Sequence, residues 1–271
     1  GQISADIKGT LKDGQMETAT AVITGRDLDI TGAALNEDRL QTSHLDVRAK
    51  LAQSGQTVRI DQLMAQTDWA SLTATGTMPI SAKSMSDLLQ TDSAYDLKGT
   101  FDCNLPALLS QMPKTFALKE GMQITAGRAT GTASSSIQGG RATIAMQTEV
   151  VGVAGTMDGK ELSLSEPVVA NLRLSADDKK TQLDALEITA SFAKINASGD
   201  FEQIDYDGRI DLTTFQAEMG KFANLGPYQM AGAVSSQGRI SIQDSNVATT
   251  GSASVTDLVL ASADAPTQSP A

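Results

Sequence analysis

The segment from Thr181 to Phe201 reads TQLDALEITASFAKINASGDF. Leu186, Ile188, Ala190 and Phe192 alternate with Glu187, Thr189 and Ser191, the period of a strand with one apolar side. The alternation slips by one at Phe192-Ala193, after which Ile195, Ala197, Gly199 and Phe201 take the apolar positions. A tight reversal around residues 192–194 returns both apolar sets to one face of one sheet, because a slip of one residue exchanges the faces of a strand. Something must cover that face, or it must serve an apolar ligand.

The same habit recurs along the chain. Leu45, Val47, Ala49 and Leu51 alternate with polar residues, as do Tyr95, Leu97, Gly99, Phe101 and Cys103. Tyr206, Gly208, Ile210 and Leu212 form a third set, and Leu28, Ile30, Gly32 and Ala34 a fourth. Turn pairs fall between such runs at Asp13-Gly14, Ser54-Gly55, Gly139-Gly140, Asp158-Gly159 and Gln237-Gly238. Connections this short join antiparallel neighbours, since parallel strands need long crossovers. The expected fold is mostly β, an antiparallel meander with few helices. One short helix is predicted over Asn104–Met112, with Pro106 in its first turn, and another from a Thr213 cap to Phe222.

A chain of 271 residues is long enough for a sizeable core, yet only 4% of it is aromatic against 40% hydrophobic, so apolar faces should be shallow. The net charge of -11 repels a phosphate backbone and no basic stripe offsets it, which argues against nucleic acid as a partner. Cys103 is the only cysteine, excluding an intramolecular disulfide and multi-cysteine metal motifs. The longest apolar run, EVVGVAG at Glu149–Gly155, is far below the ~20 residues a membrane helix needs. The opening GQISADIKGT reads as the inside of a strand and the closing ADAPTQSPA as a linker, the expectation for a piece of a longer protein.

Residues 57–76 (TVRIDQLMAQTDWASLTATG) align without a gap with residues 180–199 (KTQLDALEITASFAKINASG), an offset of 180 minus 57, or 123, with 5 of 20 positions identical. A Tyr-Asp strand follows each block, YDLKGTF at Tyr95 and YDGRIDL at Tyr206, then a short helix and a further strand. Aligning the two tyrosines, at an offset of 206 minus 95, or 111, leaves about 12 extra residues in the first copy, assigned to Pro79–Gln90. This order predicts tandem β-repeats. The expected division is a first repeat region over residues 1–130, a second over 131–260 continuing the same sheet, and a tail at 261–271.

Two ways exist to bury one-sided strands, a sandwich with interlocking side chains or a trough filled by a greasy ligand. Small residues at inward positions such as Ala65, Ala74, Ala190 and Ala197 favour the trough. Its expected lining is Leu63, Ala65, Trp69 and Leu72 in the first hairpin and Leu186, Ile188, Phe192 and Ile195 in the second. Tyr95, Leu97 and Phe101, then Phe201, Tyr206 and Ile210, extend it along the strands that follow.

Tandem one-sided strands, glycine-ended runs such as TATGTM and NASGDF, and the strand-to-helix passage YDLKGTFDCNLPALL resemble the AsmA and TamB-like proteins of the bacterial envelope. The resemblance implies a repeating β-groove, an elongated taco-like sheet with an apolar interior. It implies a periplasmic location, anchorage in the inner membrane by regions outside this chain, and phospholipid conduction or outer-membrane assembly as function. The anchoring helix and the C-terminal portion of that family are absent from this sequence. An alternative is a structural or adhesive β-repeat region of a cell-surface protein, closed as sandwiches.

No catalytic constellation competes with these readings. His44 is the only histidine, and TSHLD around it offers no nucleophile elbow. GTMDGK at residues 155–160 is too short for a phosphate loop and reads as a hairpin turn. The acidic pairs Glu37-Asp38 and Asp177-Asp178 sit in polar, turn-like stretches where a solvated state is expected. Asn196-Ala-Ser198 has the form of a glycosylation acceptor, a pattern that arises by chance. The expectation is a non-enzymatic protein with no cofactor and no metal, whose partner is a phospholipid or another acyl-chain ligand.

Overall fold

The computed structural model describes residues 1–12, 15–81, 95–177, 180–243 and 246–262. Its strands are β1 (Gln2–Lys12), β2 (Gln15–Ile30), β3 (Leu40–Ser54), β4 (Thr57–Thr67), β5 (Ala70–Pro79), β6 (Asp96–Asn104), β7 (Gln123–Gln138) and β8 (Arg141–Met157). They continue as β9 (Lys160–Ser163), β10 (Val168–Ala176), β11 (Thr181–Ala190), β12 (Ala193–Asp200), β13 (Gln203–Asp211), β14 (Tyr228–Gln243) and β15 (Asn246–Ser262). All fifteen belong to one antiparallel sheet, and fourteen follow each other across it in chain order. Only β9 lies off that path, as a hairpin partner of the end of β8.

Among the described residues the sheet does not close, since β1 and β15 each have a partner on one side alone. Thirteen steps of ~4.8 Å between the fourteen strands give a width of roughly 60 Å. The chain exposes 17015 Å², whereas a compact monomer of 28.3 kDa would expose ~11,000 Å². A second layer packed on the first would remove that excess, so the sandwich is not the form this sheet takes.

Residues 181–201 form the hairpin that their alternation predicts. Ile188 pairs with Ile195 and Leu186 with Ala197, so both apolar sets share a face. Further along, the ladder skips between Leu183 and Leu186, and Gly199 opposite Leu183 has a φ of 144°. A similar skip separates Ile60 from Leu63 in β4, opposite Gly76 at a φ of 134°. Irregularities between Lys50 and Leu51 and between Arg173 and Leu174 match as well, at an offset of 173 minus 50, or 123.

Several sequence expectations need correction. Leu97 pairs with Gly76 as Ile204 pairs with Gly199, so the strands after the hairpins correspond at 204 minus 97, or 107. Tyr95 and Tyr206 therefore do not correspond. The shared Tyr-Asp letters aligned two residues that the ladder keeps four positions apart. Gln237-Gly238 is no turn but lies within β14, where Gly238 faces Gly251 and a Cβ on it would sit 3.1 Å from the Tyr206 hydroxyl. The strand expected through Ala34 ends at Ile30, and Ala33–Leu35 form a 3-10 turn. Asp13-Gly14 and most of the Pro79–Gln90 insertion lie outside the described residues. The turns at Ser54-Gly55, Gly139-Gly140 and Asp158-Gly159 connect strands as expected.

Two helices follow β6 and β13. Helix α1 (Leu105–Leu109) starts at Asn104, whose side chain accepts a hydrogen bond from the Ala107 amide at 3.2 Å. Helix α2 (Leu212–Met219) is capped by Asp211, which accepts from the Thr214 amide at 2.8 Å, not by Thr213. The Thr213 hydroxyl instead accepts from the Gly232 amide in β14 at 3.1 Å.

Both helices sit at one end of the strands, where a compact core of Ile124, Val153 and Phe222 is packed by Leu105, Leu109, Leu118 and Leu164. The segments after the two helices clasp each other: Leu118 bridges Ala223, and the Lys119 amide donates to the Phe222 carbonyl at 2.9 Å. The clasp reaches back to the β2–β3 connection through Thr115, whose amide donates to Asp38 at 2.7 Å. Asp38 is thereby buried rather than solvated as expected. A braced rim runs along this end of the sheet.

Glu218 fastens the same rim, accepting from the Ser165 amide at 3.0 Å and pairing with Lys221 at 3.1 Å. Burial alone would raise its pKa, but Lys221 and the Ser165 amide outweigh burial and hold it below the ordinary carboxylate value. A carboxyl with a depressed folded pKa contributes stability above its unfolded pKa and loses it as pH falls through the folded one. The expected result is a fall in thermal midpoint from pH 7 to pH 3 that is smaller in Glu218→Gln than in the parent. Equal falls, measured by circular dichroism, would remove Glu218 from the acid response.

Candidate functional site

In an antiparallel ladder, directly opposed residues point to the same face. One such line crosses the whole sheet, from Ile7 in β1 through Ala21, Ala49, Leu63, Ala74 and Gly99 to Ala133 in β7. It continues through Met146, Leu172, Leu186, Ala197 and Tyr206 and ends at Gly238 and Gly251. No charged side chain interrupts it. The parallel line two residues away includes Val47, Ala65, Leu72, Phe101, Ile188 and Ile195, with Thr148 and Ser236 as its hydroxyl-bearing members.

The opposite face is hydrophilic. The line one residue over runs from Asp6 and Arg48 through Thr73, Thr100, Gln147 and Asn171 to Glu187, Asn196, Asp207 and Gln237. Val22 and Met64 are its apolar members. Ion pairs belong to this side, such as Arg239 with Asp205 at 2.7 Å and Arg59 with Asp61 at 2.7 Å.

Among the described residues, no second layer lies over the middle of the apolar face. Leu72 remains 45% and Met146 42% exposed, values far from those of core residues. Most other members of the two lines are half-buried, each shielded by its neighbours within the sheet. Small residues keep this surface low, and where a ring does stand on it the adjacent position is glycine: a Cβ on Gly131 would lie 2.2 Å from the Phe101 ring.

The expected lining residues separate into groups. Leu63, Leu186 and Tyr206 fall on the central line, and Ala65, Leu72, Phe101, Ile188 and Ile195 on its neighbour. Leu97 lies on the line toward the far turns, paired with Gly76 and Ser135, and Ile210 on the line nearest the helices, paired with Ala193 and Val234. Trp69 and Phe192 sit in the hairpin turns, where their carbonyls accept from the Asn104 and Asp211 amides at 2.8 and 2.9 Å. The Phe192 ring packs edge-on to Phe215 of α2 at 5.3 Å, so this residue anchors the strand-to-helix junction. Tyr95 precedes β6 and is 3% exposed, with its hydroxyl 3.2 Å from Ser135 Oγ, and Phe201 lies in the turn after β12. Met146 and Leu172 were missed, although their alternation with Gln147 and Asn171 carried the signal.

A hollow of about 1180 Å³ opens on the hydrophilic face over β11–β15, lined by Glu187, Asn196, Asp205, Asp207, Gln237 and Arg239.

Reactive groups are few. Burial, with Asp102 adding to it, pushes the Cys103 thiol above its ordinary value, which keeps it protonated at neutral pH. His44 Nδ1 lies 2.5 Å from Asp68, which also accepts from the hydroxyls of Thr42 at 3.1 Å and Ser43 at 2.9 Å. The Ser43 amide, foremost among these donors, holds Asp68 below the ordinary carboxylate value. This cluster ties the start of β3 to the β4–β5 turn. Among the described residues no three His, Cys, Asp or Glu side chains are grouped to hold a metal ion, and no helix is long and apolar enough to cross a membrane. Comparison with protein-family models, curated proteins and solved structures finds no match to this chain.

Proposed function

We propose that this chain is a non-enzymatic, lipid-binding segment of a bacterial envelope protein of the AsmA and TamB-like kind. Acyl chains lie on the apolar face, curled into a groove, and pass along it while headgroups remain in water. The observation that carries this reading is the apolar line across fourteen strands, uninterrupted by charge and, among the described residues, without a protein layer over it. Each methylene withdrawn from water contributes ~0.8 kcal/mol. A lining of similar small and aliphatic residues repeats about every 4.8 Å, so neighbouring positions bind nearly equally and no deep trap halts movement.

The matched skips at Ile60/Leu63 and Leu183/Leu186, and the capped helices after β6 and β13, support tandem units of one sheet. The full protein would reside in the periplasm, anchored through regions outside this chain, and serve phospholipid transport or outer-membrane assembly.

The test is photo-crosslinking of acyl chains at the central line, with native mass spectrometry for co-purifying lipid. Leu186→Asp is expected to lower local crosslinking by ~10-fold or more, because a carboxylate there must be desolvated against hydrocarbon. Glu187→Gln, one residue over on the hydrophilic face, should leave crosslinking unchanged, and neither substitution should alter the circular dichroism spectrum. Undiminished crosslinking in a folded Leu186→Asp variant would show that the central line is not a lipid path.

A further inference from the structure

Charges on the hydrophilic face are commonly compensated, as Arg239 is by Asp205 and Arg141 by Asp184. One pair is not. Lys194 of β12 stands directly opposite Arg209 of β13, and among the described residues no other rung of the ladder opposes two like charges. Like charges placed opposite each other destabilise a sheet. Neither residue forms an ion pair among the described residues. Arg209 acts through space on Asp211, but that carboxylate already accepts from the Thr214 amide at 2.8 Å as the cap of α2.

The row on which the two cations stand is otherwise made of hydroxyls. Thr189 lies beyond Lys194, and Ser235 and then Ser254 lie beyond Arg209. A hollow of about 510 Å³ opens over Lys194, Arg209 and the two serines, with the amides of Asn196 and Gln237 at its side. An oxyanion takes charge-assisted hydrogen bonds from such cations and neutral ones from hydroxyl and amide donors. The chain carries a net charge of -11, so an uncompensated positive pair is a local exception on a surface that otherwise repels anions.

The neighbouring row has a different chemistry. Glu187, Asn196, Asp207, Gln237 and Ser252 stand in line two residues away along the strands, a separation of about 6.7 Å. Here the smaller hollow joins the one of about 1180 Å³ over β11–β15, and the two share Asn196, Asp207, Gln237 and Ser252. Asp207 accepts from the Asn196 amide at 2.9 Å, which orients both side chains. Carboxylates accept and carboxamides both donate and accept, the set that adjacent hydroxyls on a ring satisfy in pairs. The two carboxylates repel a second anionic group on this row. A ligand that suits both rows is anionic at one end and neutral and hydroxylated along its body.

We propose that the joined hollows bind an anionic saccharide, with its oxyanion between Lys194 and Arg209 and its hydroxyls against Glu187, Asn196, Asp207 and Gln237. Binding relieves the repulsion between the two cations, so part of the affinity comes from a free state that the pair destabilises. The site lies on the face opposite the apolar line. It stands or falls independently of acyl-chain binding there.

NMR titration of the backbone amides of β12–β14 tests the site, with glucose 6-phosphate and glucuronate as probes and glucose and inorganic phosphate as controls. At least one anionic sugar is expected to bind with a Kd on the order of 1 mM, and both controls ~10-fold or more weakly. The tighter of the two anionic sugars identifies the oxyanion as phosphate or carboxylate. Lys194→Gln and Arg209→Gln should each weaken binding ~10-fold without lowering the ligand-free thermal midpoint, since each removes a repulsion. Lys50→Gln, on the same face in β3, should bind as the parent does. The absence of saturable shifts with both anionic sugars would overturn the proposal, as would undiminished binding in a folded Lys194→Gln/Arg209→Gln double variant. Inorganic phosphate binding as tightly as glucose 6-phosphate would overturn it too, because the saccharide would then contribute nothing.

Discussion

Valine in place of Gly199 is expected to destabilise the chain by ~3–5 kcal/mol, enough to disrupt β11–β13 at room temperature. Two independent penalties act at this position. The backbone φ of 144° belongs to a region that side-chain-bearing residues avoid, and a Cβ would lie 2.1 Å from the Gln203 carbonyl oxygen. That oxygen is main chain and cannot swing away, so relief requires moving β13. Gly208 is the natural control: in the next strand a Cβ would meet nothing closer than 3.6 Å, and Gly208→Ala should change stability by less than ~1 kcal/mol. Urea unfolding of the two variants checks the difference. A Gly199→Val protein as stable as the parent would mean that β12 does not bend against β13 at this point.

Truncation of Phe222 is the second large effect. The ring is 5% exposed in the only compact core found among the described residues, against Ile124 and Val153. Phe222→Ala should cost ~3–5 kcal/mol, the transfer energy of the ring plus the cavity left behind. Because the Phe222 carbonyl accepts the Lys119 amide, the loss should also open the clasp. Hydrogen exchange at Lys119 and Asn224 should accelerate more than exchange in β4, which shares no hydrogen bond with the clasp. Equal acceleration everywhere would mean that the rim and the sheet unfold as one unit.

The sequence carried the sheet class because the alternation is local. Ile188 and Ile195, seven residues apart, belong to one face by periodicity and turn length alone, and the ladder pairs them. Helix caps were half legible for the same reason: Asn104 announces α1 through its own side chain, whereas Asp211 competed with Thr213 for the cap of α2. What failed depended on neighbours distant in sequence. Gly238 resembles a turn glycine, but it is glycine because β15 approaches it closely, a Cβ there meeting the Thr250 carbonyl at 2.5 Å. Tyr95 reads as the first inward residue of a strand, yet its hydroxyl reaches Ser135 of β7 and the ring is buried. Of the candidate lining, the residues within regular strands could be read, while those in turns, Trp69, Phe192 and Phe201, took roles set by packing at the strand ends.

Across the sheet, each of the fourteen strands on the main path is bonded to those immediately before and after it on that path. Loop closure therefore costs little at every step, since no strand waits for a distant partner. During synthesis a newly emerged strand finds its template already formed, and assembly can proceed like a zipper at the pace of the ribosome. The same arrangement localises damage: a break in the middle leaves two flanking stretches that each retain their own pairings.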